Sequence, residues 1–196
     1  MIPILILAAG QSTRMRGVDK LMEDIGGTTL LRRQIDCATG LGPVFVVLPS
    51  ATHPRMQSVL GSDATAIFAP NAGEGMSATI RDAVAQIPAC TAFMIVLADL
   101  ISLENNDLRA VIAAMSEHPN HLIWRGATDD GKAGHPIIFD ATLRPMFADI
   151  AGDTGADMIA KRLREQTYLH RFHDNRARHD LDTPEDFAAW RMSLGK

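Results

Sequence analysis

Residues 7–20 read LAAGQSTRMRGVDK, a run of small residues and a glycine followed by three cations, Arg14, Arg16 and Lys20. The side chains of Ala8, Ala9 and Gly10 are small enough for a ligand to come close to the backbone. Successive free N–H groups in such a turn can cradle phosphate oxygens. Arg14 would add a planar fork and Lys20 a mobile point charge, both suited to a triphosphate. A plain strand-to-helix turn with solvated cations has the same composition, so the rest of the chain must decide. Two familiar phosphate signatures are absent from this loop. Gly10 and Gly17 are separated by six residues and Lys20 does not adjoin Gly17, so the pattern GxxxxGK[ST] fails. GxGxxG fails too, and the nearest pattern, GEGMSA at 73–78, is a lone GxGxxA.

The second chemical signal is IVLADL at 95–100. An aspartate directly after an apolar strand stands at the ligand-facing edge of a sheet, where Asp99 could hold Mg²⁺. Magnesium favours one or two carboxylates plus substrate phosphates over an all-protein cage. Capping of the next helix is the competing reading of Asp99. Two further acidic clusters come late, GDTGAD at 152–157 and HDLDTPED at 179–186. In the latter, Asp182 or Thr183 before Pro184 is also a strong helix start. Asp180 and Asp182 are one residue apart, so in an extended segment they point the same way.

His170, His173 and His179 lie close in sequence without metal-ligand spacing, whereas His135, in GKAGHPIIF, opens a strand beside two glycines. No GxSxG elbow exists for acyl transfer. Cys37 and Cys90 are the only cysteines, with no CxxC, and read as spectator thiols of a reducing compartment.

These residues must be positioned by the elements around them. Strands are predicted at 2–7, 43–48, 65–68, 92–97, 121–124 and 136–139, with a short one around 168–172. Helices are predicted at 28–39, 54–60, 76–87, 105–118, 141–150, 157–165 and 184–193. Continuous apolar strands such as IPILIL and FMIVL suit a sheet covered on both faces. Alternation of this kind predicts a three-layer, Rossmann-like α/β fold with a mainly parallel sheet, and ligands then bind beyond the carboxyl ends of the strands. No repeat or linker divides the 196 residues, so one domain over 1–196 is expected. A hydrophobic fraction of 46% and a net charge of −4 suit a soluble globule and give no footprint for nucleic acid or anionic lipid. The opening MIPILILAA lacks a basic leader and is too short to span a membrane, so a cytoplasmic location is expected.

With these segments together, the sequence resembles the nucleotidyltransferases related to molybdenum cofactor guanylyl- and cytidylyltransferases. The opening loop with Lys20-Leu21, GMSATIRDAV at 75–84, VLADL at 96–100, GHPIIF at 134–139, GDTGAD at 152–157 and DLDTPEDF at 180–187 follow the family's order. GMSA, GHP and GDTGA resemble the cytidylyltransferase branch. The resemblance implies a Mg²⁺-dependent transfer of a nucleoside monophosphate, CMP from CTP favoured, to a phosphorylated acceptor such as molybdopterin, with pyrophosphate leaving. It also implies nucleotide binding by Leu7, Ala8, Ala9, Gly10, Ser12, Arg14, Lys20, Gly75, Met76, Ser77 and Ala78, and catalysis by Arg14, Lys20, Asp99 and Asp153. Asp99 and Asp182 would hold the metal, with Asp180 and Asp153 as rivals for the second place, and His135 and Asp153 would contact the acceptor. A sugar-phosphate acceptor, and a non-catalytic nucleotide-binding accessory of a molybdoenzyme partner, are the alternatives. Two departures stand out: Arg16 lengthens the loop by one residue, and Asp99-Leu100-Ile101 replaces the family's frequent Asp-Met-Pro.

Overall fold

A computed structural model describes residues 1–152 and 154–194. Seven strands form one sheet: β1 (Ile4–Leu7), β2 (Val44–Leu48), β3 (Thr65–Phe68), β4 (Ala92–Leu97), β5 (Ile123–Ala127), β6 (Ala133–Asp140) and β7 (Thr167–Arg171). Their order is β3-β2-β1-β4-β6-β5-β7, and every strand runs parallel to the others except β6. The helices are α1 (Leu30–Ala38), α2 (Met56–Val59), α3 (Met76–Gln86), α4 (Asn105–Glu117), α5 (Asp157–Arg162) and α6 (Pro184–Leu194).

Side chains alternate across the pleat and feed two separate cores. Ile4 and Ile6 of β1 pack with Leu31 and Ile35 of α1 and Leu108 of α4, while Leu5 and Leu7 pack with Ile80 and Val84 of α3. Both faces of the sheet are therefore covered, which is why the central strands read as unbroken apolar runs. None of the described helices is long and apolar enough to cross a membrane.

The stretch predicted as a helix at 141–150 is instead a 3-10 segment, Ala141–Asp149. Pro145 lies within it and has no N–H to donate to a preceding turn, so α-helical bonding cannot run through. The helix predicted at 54–60 shortens to α2, and that at 157–165 divides into α5 and a 3-10 turn, Arg164–Gln166.

The reversed strand matters most for function. β6 pairs antiparallel to β4, with Ala92 opposite Asp140 and Ile95 opposite Ile137. Its first residues, Ala133 to His135, therefore arrive at the same end of the sheet as the carboxyl ends of β1 and β4. There His135 Nδ1 lies 3.3 Å from the Ile95 carbonyl. The His135–Pro136 peptide bond is cis.

Candidate active site

The loop after β1 is held from behind by a buried arginine. Arg55, 2% exposed, donates through Nε and Nη2 to both oxygens of Asp19, each at 2.7 Å. Its Nη1 donates to the Ala8 carbonyl at 2.6 Å and its Nη2 to Ser12 Oγ at 3.1 Å. The Asp19 carboxylate also accepts from the Leu21 N–H, so it starts the 3-10 turn that carries Lys20. Burial works against the charge on Asp19, but the Arg55 fork outweighs it and holds the carboxyl below its usual range. Ser12 and Arg16 both adopt left-handed backbone, at φ 51° and 54°, uncommon for residues other than glycine. The additional residue Arg16 is thus absorbed in a tight bend, and its guanidinium reaches Glu185 on the surface at 2.7 Å.

The acidic residues are gathered by a pairing far apart in sequence. Leu100 bridges Asp180 in antiparallel fashion, the Ile101 N–H donates to the His179 carbonyl, and the Leu181 N–H donates to the Asp99 carbonyl. Leu100 and Ile101 are both buried and anchor this bridge. The result is a cluster in which one carboxylate oxygen each from Asp99, Asp180 and Asp182 lies within 4.8 Å of the others. Lys20 Nζ donates to Asp99 and Asp182 at 2.6 Å each, and Arg14 Nη1 lies 2.6 Å from the other Asp182 oxygen. Burial opposes the Lys20 charge, but the two carboxylates prevail and raise its pKa; Lys20 in turn lowers that of Asp182 against the same burial. Asp180 is raised, by burial first and then by repulsion from Asp99 and Asp182.

The helix-cap reading of the DTPED segment also holds, with Thr183 rather than Asp182 as the cap. Thr183 Oγ1 accepts the Asp186 N–H, while the Asp186 carboxylate accepts the N–H groups of Asp182 and Thr183. Capping by Thr183 and Asp186 leaves the Asp182 carboxylate to the cluster.

These elements enclose a cavity of about 590 Å³, lined by Leu7, Ala9, Gly10, Ser12, Arg14 and Lys20 from the first loop. Gly75 and Met76 from the start of α3, and Asp99, Asp180 and Asp182, complete its wall. Ala8, Ser77 and Ala78 are almost wholly buried and do not reach that wall. Ser77 Oγ accepts the Gly155 N–H and its own N–H donates to the Gly152 carbonyl, so it ties Gly152 and Gly155 to α3. Asp153 lies outside the described residues.

A second cavity, of about 270 Å³, opens beside the first and shares Leu7, Met76, Leu97 and Asp180 with it. His135 lines this second cavity rather than the first. Burial, helped by Arg125, pushes its pKa down to about 4, so the ring is neutral at neutral pH. With Nδ1 assigned as donor to the Ile95 carbonyl, Nε2 is left as an acceptor.

Oxygen donors from three carboxylates suit a hard divalent cation. Asp99 Oδ1 is buried and has no hydrogen-bond partner among the described residues, as expected of an oxygen reserved for a ligand. Of the residues singled out in the sequence, the structure brings together the loop, Asp99 and the late acids; the sequence did not point to Arg55, which stands just ahead of the short helix α2.

A curated relative, the bifunctional protein GlmU of Caulobacter vibrioides, is 39% identical over 88 residues, covering 41% of this chain. The match spans only 19% of that longer protein. Among solved structures, a protein of Mycobacterium sp. strain JC1 superposes with a TM-score of 0.84 at 22% identity, covering 99% of this chain and 96% of that one. A Mycobacterium tuberculosis H37Rv protein, solved as a manganese complex, gives 0.77 at 24% identity, with 98% of each chain covered. These two share the fold. The sequence pattern of the MobA-like NTP transferase domain matches residues 4–167, and by that match the chain belongs to the MobA-like NTP transferase family.

Proposed function

We propose that this protein is a divalent-metal-dependent nucleotidyltransferase that moves CMP from CTP to the phosphate of a molybdopterin-type acceptor. An acceptor oxygen would attack the α-phosphorus while pyrophosphate leaves. The observation that carries the reading is the Asp99, Asp180 and Asp182 cluster, bridged by Lys20 and Arg14 at the mouth of the glycine loop. Such chemistry needs little covalent help from protein; it needs the donor held in line and its growing negative charge neutralised.

The residues divide that work. Backbone from Ala9 to Thr13 and the start of α3 at Gly75 and Met76 line the cavity and would orient the triphosphate. Lys20 and Arg14 now rest on carboxylates and are placed to turn their charge to the phosphates. Asp99 and Asp182, with Asp180 beside them, would hold Mg²⁺ or Mn²⁺, which when bound neutralises charge on the donor. His135, neutral, would accept a hydrogen bond from an O–H or N–H of the acceptor in the second cavity. Base choice is assigned to the wall at Ala9 and Gly75-Met76, where an alanine methyl fills space that a purine would need. A molybdoenzyme is the expected recipient of the product.

The test is thermal-shift screening of the four NTPs with Mg²⁺ or Mn²⁺, followed by pyrophosphate release with candidate acceptors. CTP should stabilise the protein most, and Asp99→Asn should stay folded yet release no pyrophosphate. Preference for GTP would overturn the base assignment; full activity in Asp99→Asn would overturn the metal site.

A further inference from the structure

The second cavity does not end at His135. It continues past Arg125, Ala133, Asp157 and Arg178, which it shares with a groove of about 620 Å³ whose wall also carries Lys132, Lys161 and Arg164. Five cations and one carboxylate in one groove contrast with a chain whose net charge is −4. Arg125 is the informative member. Its side chain is 8% exposed, yet its one carboxylate partner, Asp157 at 3.0 Å, is 49% exposed. Nε donates to the Gly134 carbonyl and Nη1 to Asp157, while Nη2 donates to none of the described residues. Nη2 is not a buried unpaired atom and lies on the cavity side, so the fork has a donor left for an anion there.

Arg178 is set over the same wall by a close backbone approach. Its Nη1 donates to the Ala133 carbonyl at 3.0 Å. A Cβ at Gly134 would stand 2.2 Å from the Ala177 carbonyl, so only glycine lets the 176–178 turn sit directly on β6. Arg178 lies two residues before Asp180, no more than about 7 Å along the chain. One small molecule can therefore touch the acidic cluster with one end and the arginines with the other.

We propose that Arg125 and Arg178 form an oxyanion subsite that takes an anionic group of the acceptor remote from its reacting phosphate. This rests on the transferase reading, since it identifies the molecule in the second cavity as the acceptor.

Inorganic phosphate is the probe. In ¹H–¹⁵N spectra of the full-length protein, phosphate should shift the Gly126 and Gly134 amides saturably. In Arg178→Ala that response should weaken by about 10-fold or more, the loss expected for one charge-assisted contact. Arg14→Ala should leave it intact and alter only the response of Gly10 and Gly17. An absent or non-saturating shift at Gly134, or one unchanged in Arg178→Ala, overturns the subsite. If NTPs act on Gly10 while Gly134 stays silent, this inference fails and the transferase reading stands. If Gly134 responds but no NTP binds, the transferase reading fails and takes the acceptor assignment with it.

Discussion

Replacing Arg55 by alanine removes the fork that ties Asp19, Ser12 and the Ala8 carbonyl into one body. Four hydrogen bonds between 2.6 and 3.1 Å are lost. The Ala8 carbonyl loses its buried donor, and Asp19, 26% exposed, loses its cation. Breaking a buried pair by deleting one partner costs about 3–5 kcal/mol, and the partial exposure of Asp19 places this case near the lower end, at about 3 kcal/mol. For a chain of this size that corresponds to a fall in Tm of roughly 6–12 °C. Urea unfolding of wild type, Arg55→Ala, Asp19→Asn and the double variant gives the coupling directly, and it should reach about 2 kcal/mol. Arg55→Lys should recover only part of the loss, because an ammonium cannot span both Asp19 oxygens and the Ala8 carbonyl together. NTP binding should weaken as well, since Asp19 begins the turn bearing Lys20. Unfolding of Arg55→Ala within about 0.5 kcal/mol of wild type, the range of an ordinary surface change, would refute the reasoning.

Other outcomes follow from the same geometry. His135 has a folded-state pKa of about 4 against 6.5 when unfolded, so the unfolded chain binds the proton first and stability falls as pH drops from about 6.5 to 4. At about 1.4 kcal/mol per pH decade the loss approaches 3 kcal/mol, and urea midpoints against pH should flatten in His135→Gln; an unaltered slope would count against the neutral ring. Lys20→Ala and Arg14→Ala should each reduce NTP use at least about 10-fold, read as pyrophosphate release. Lys20 is only 14% exposed between two carboxylates, so Lys20→Ala should also lose about 2 kcal/mol, while the 69% exposed Arg14 should lose little. Equal melting temperatures for the two variants would contradict that difference.

The chain's local chemistry determined much of this protein. Unbroken apolar runs at 4–7 and 92–97 specify central strands, because a strand buried on both faces cannot afford polar positions. Placement of the Gly10–Lys20 loop and of Asp99 follows, since each comes directly after such a strand. The i, i+2 spacing of Asp180 and Asp182 put both carboxylates on one side of an extended segment, which is how they meet Asp99. Tertiary structure decided the rest, through contacts between residues that no local pattern relates. Reversal of β6 brought His135 to the ligand end of the sheet and into the second cavity rather than the first. Leu100 and Ile101, a departure from the family when read in sequence, bury themselves in the bridge that carries the late acids across 80 residues to Asp99. Ser77 looked available for nucleotide, yet folding spends its hydroxyl on the Gly155 N–H. Arg55 gave almost no signal because a buried arginine is explained only by its partners, and those lie 36 to 47 residues away in a loop that the arginine itself shapes.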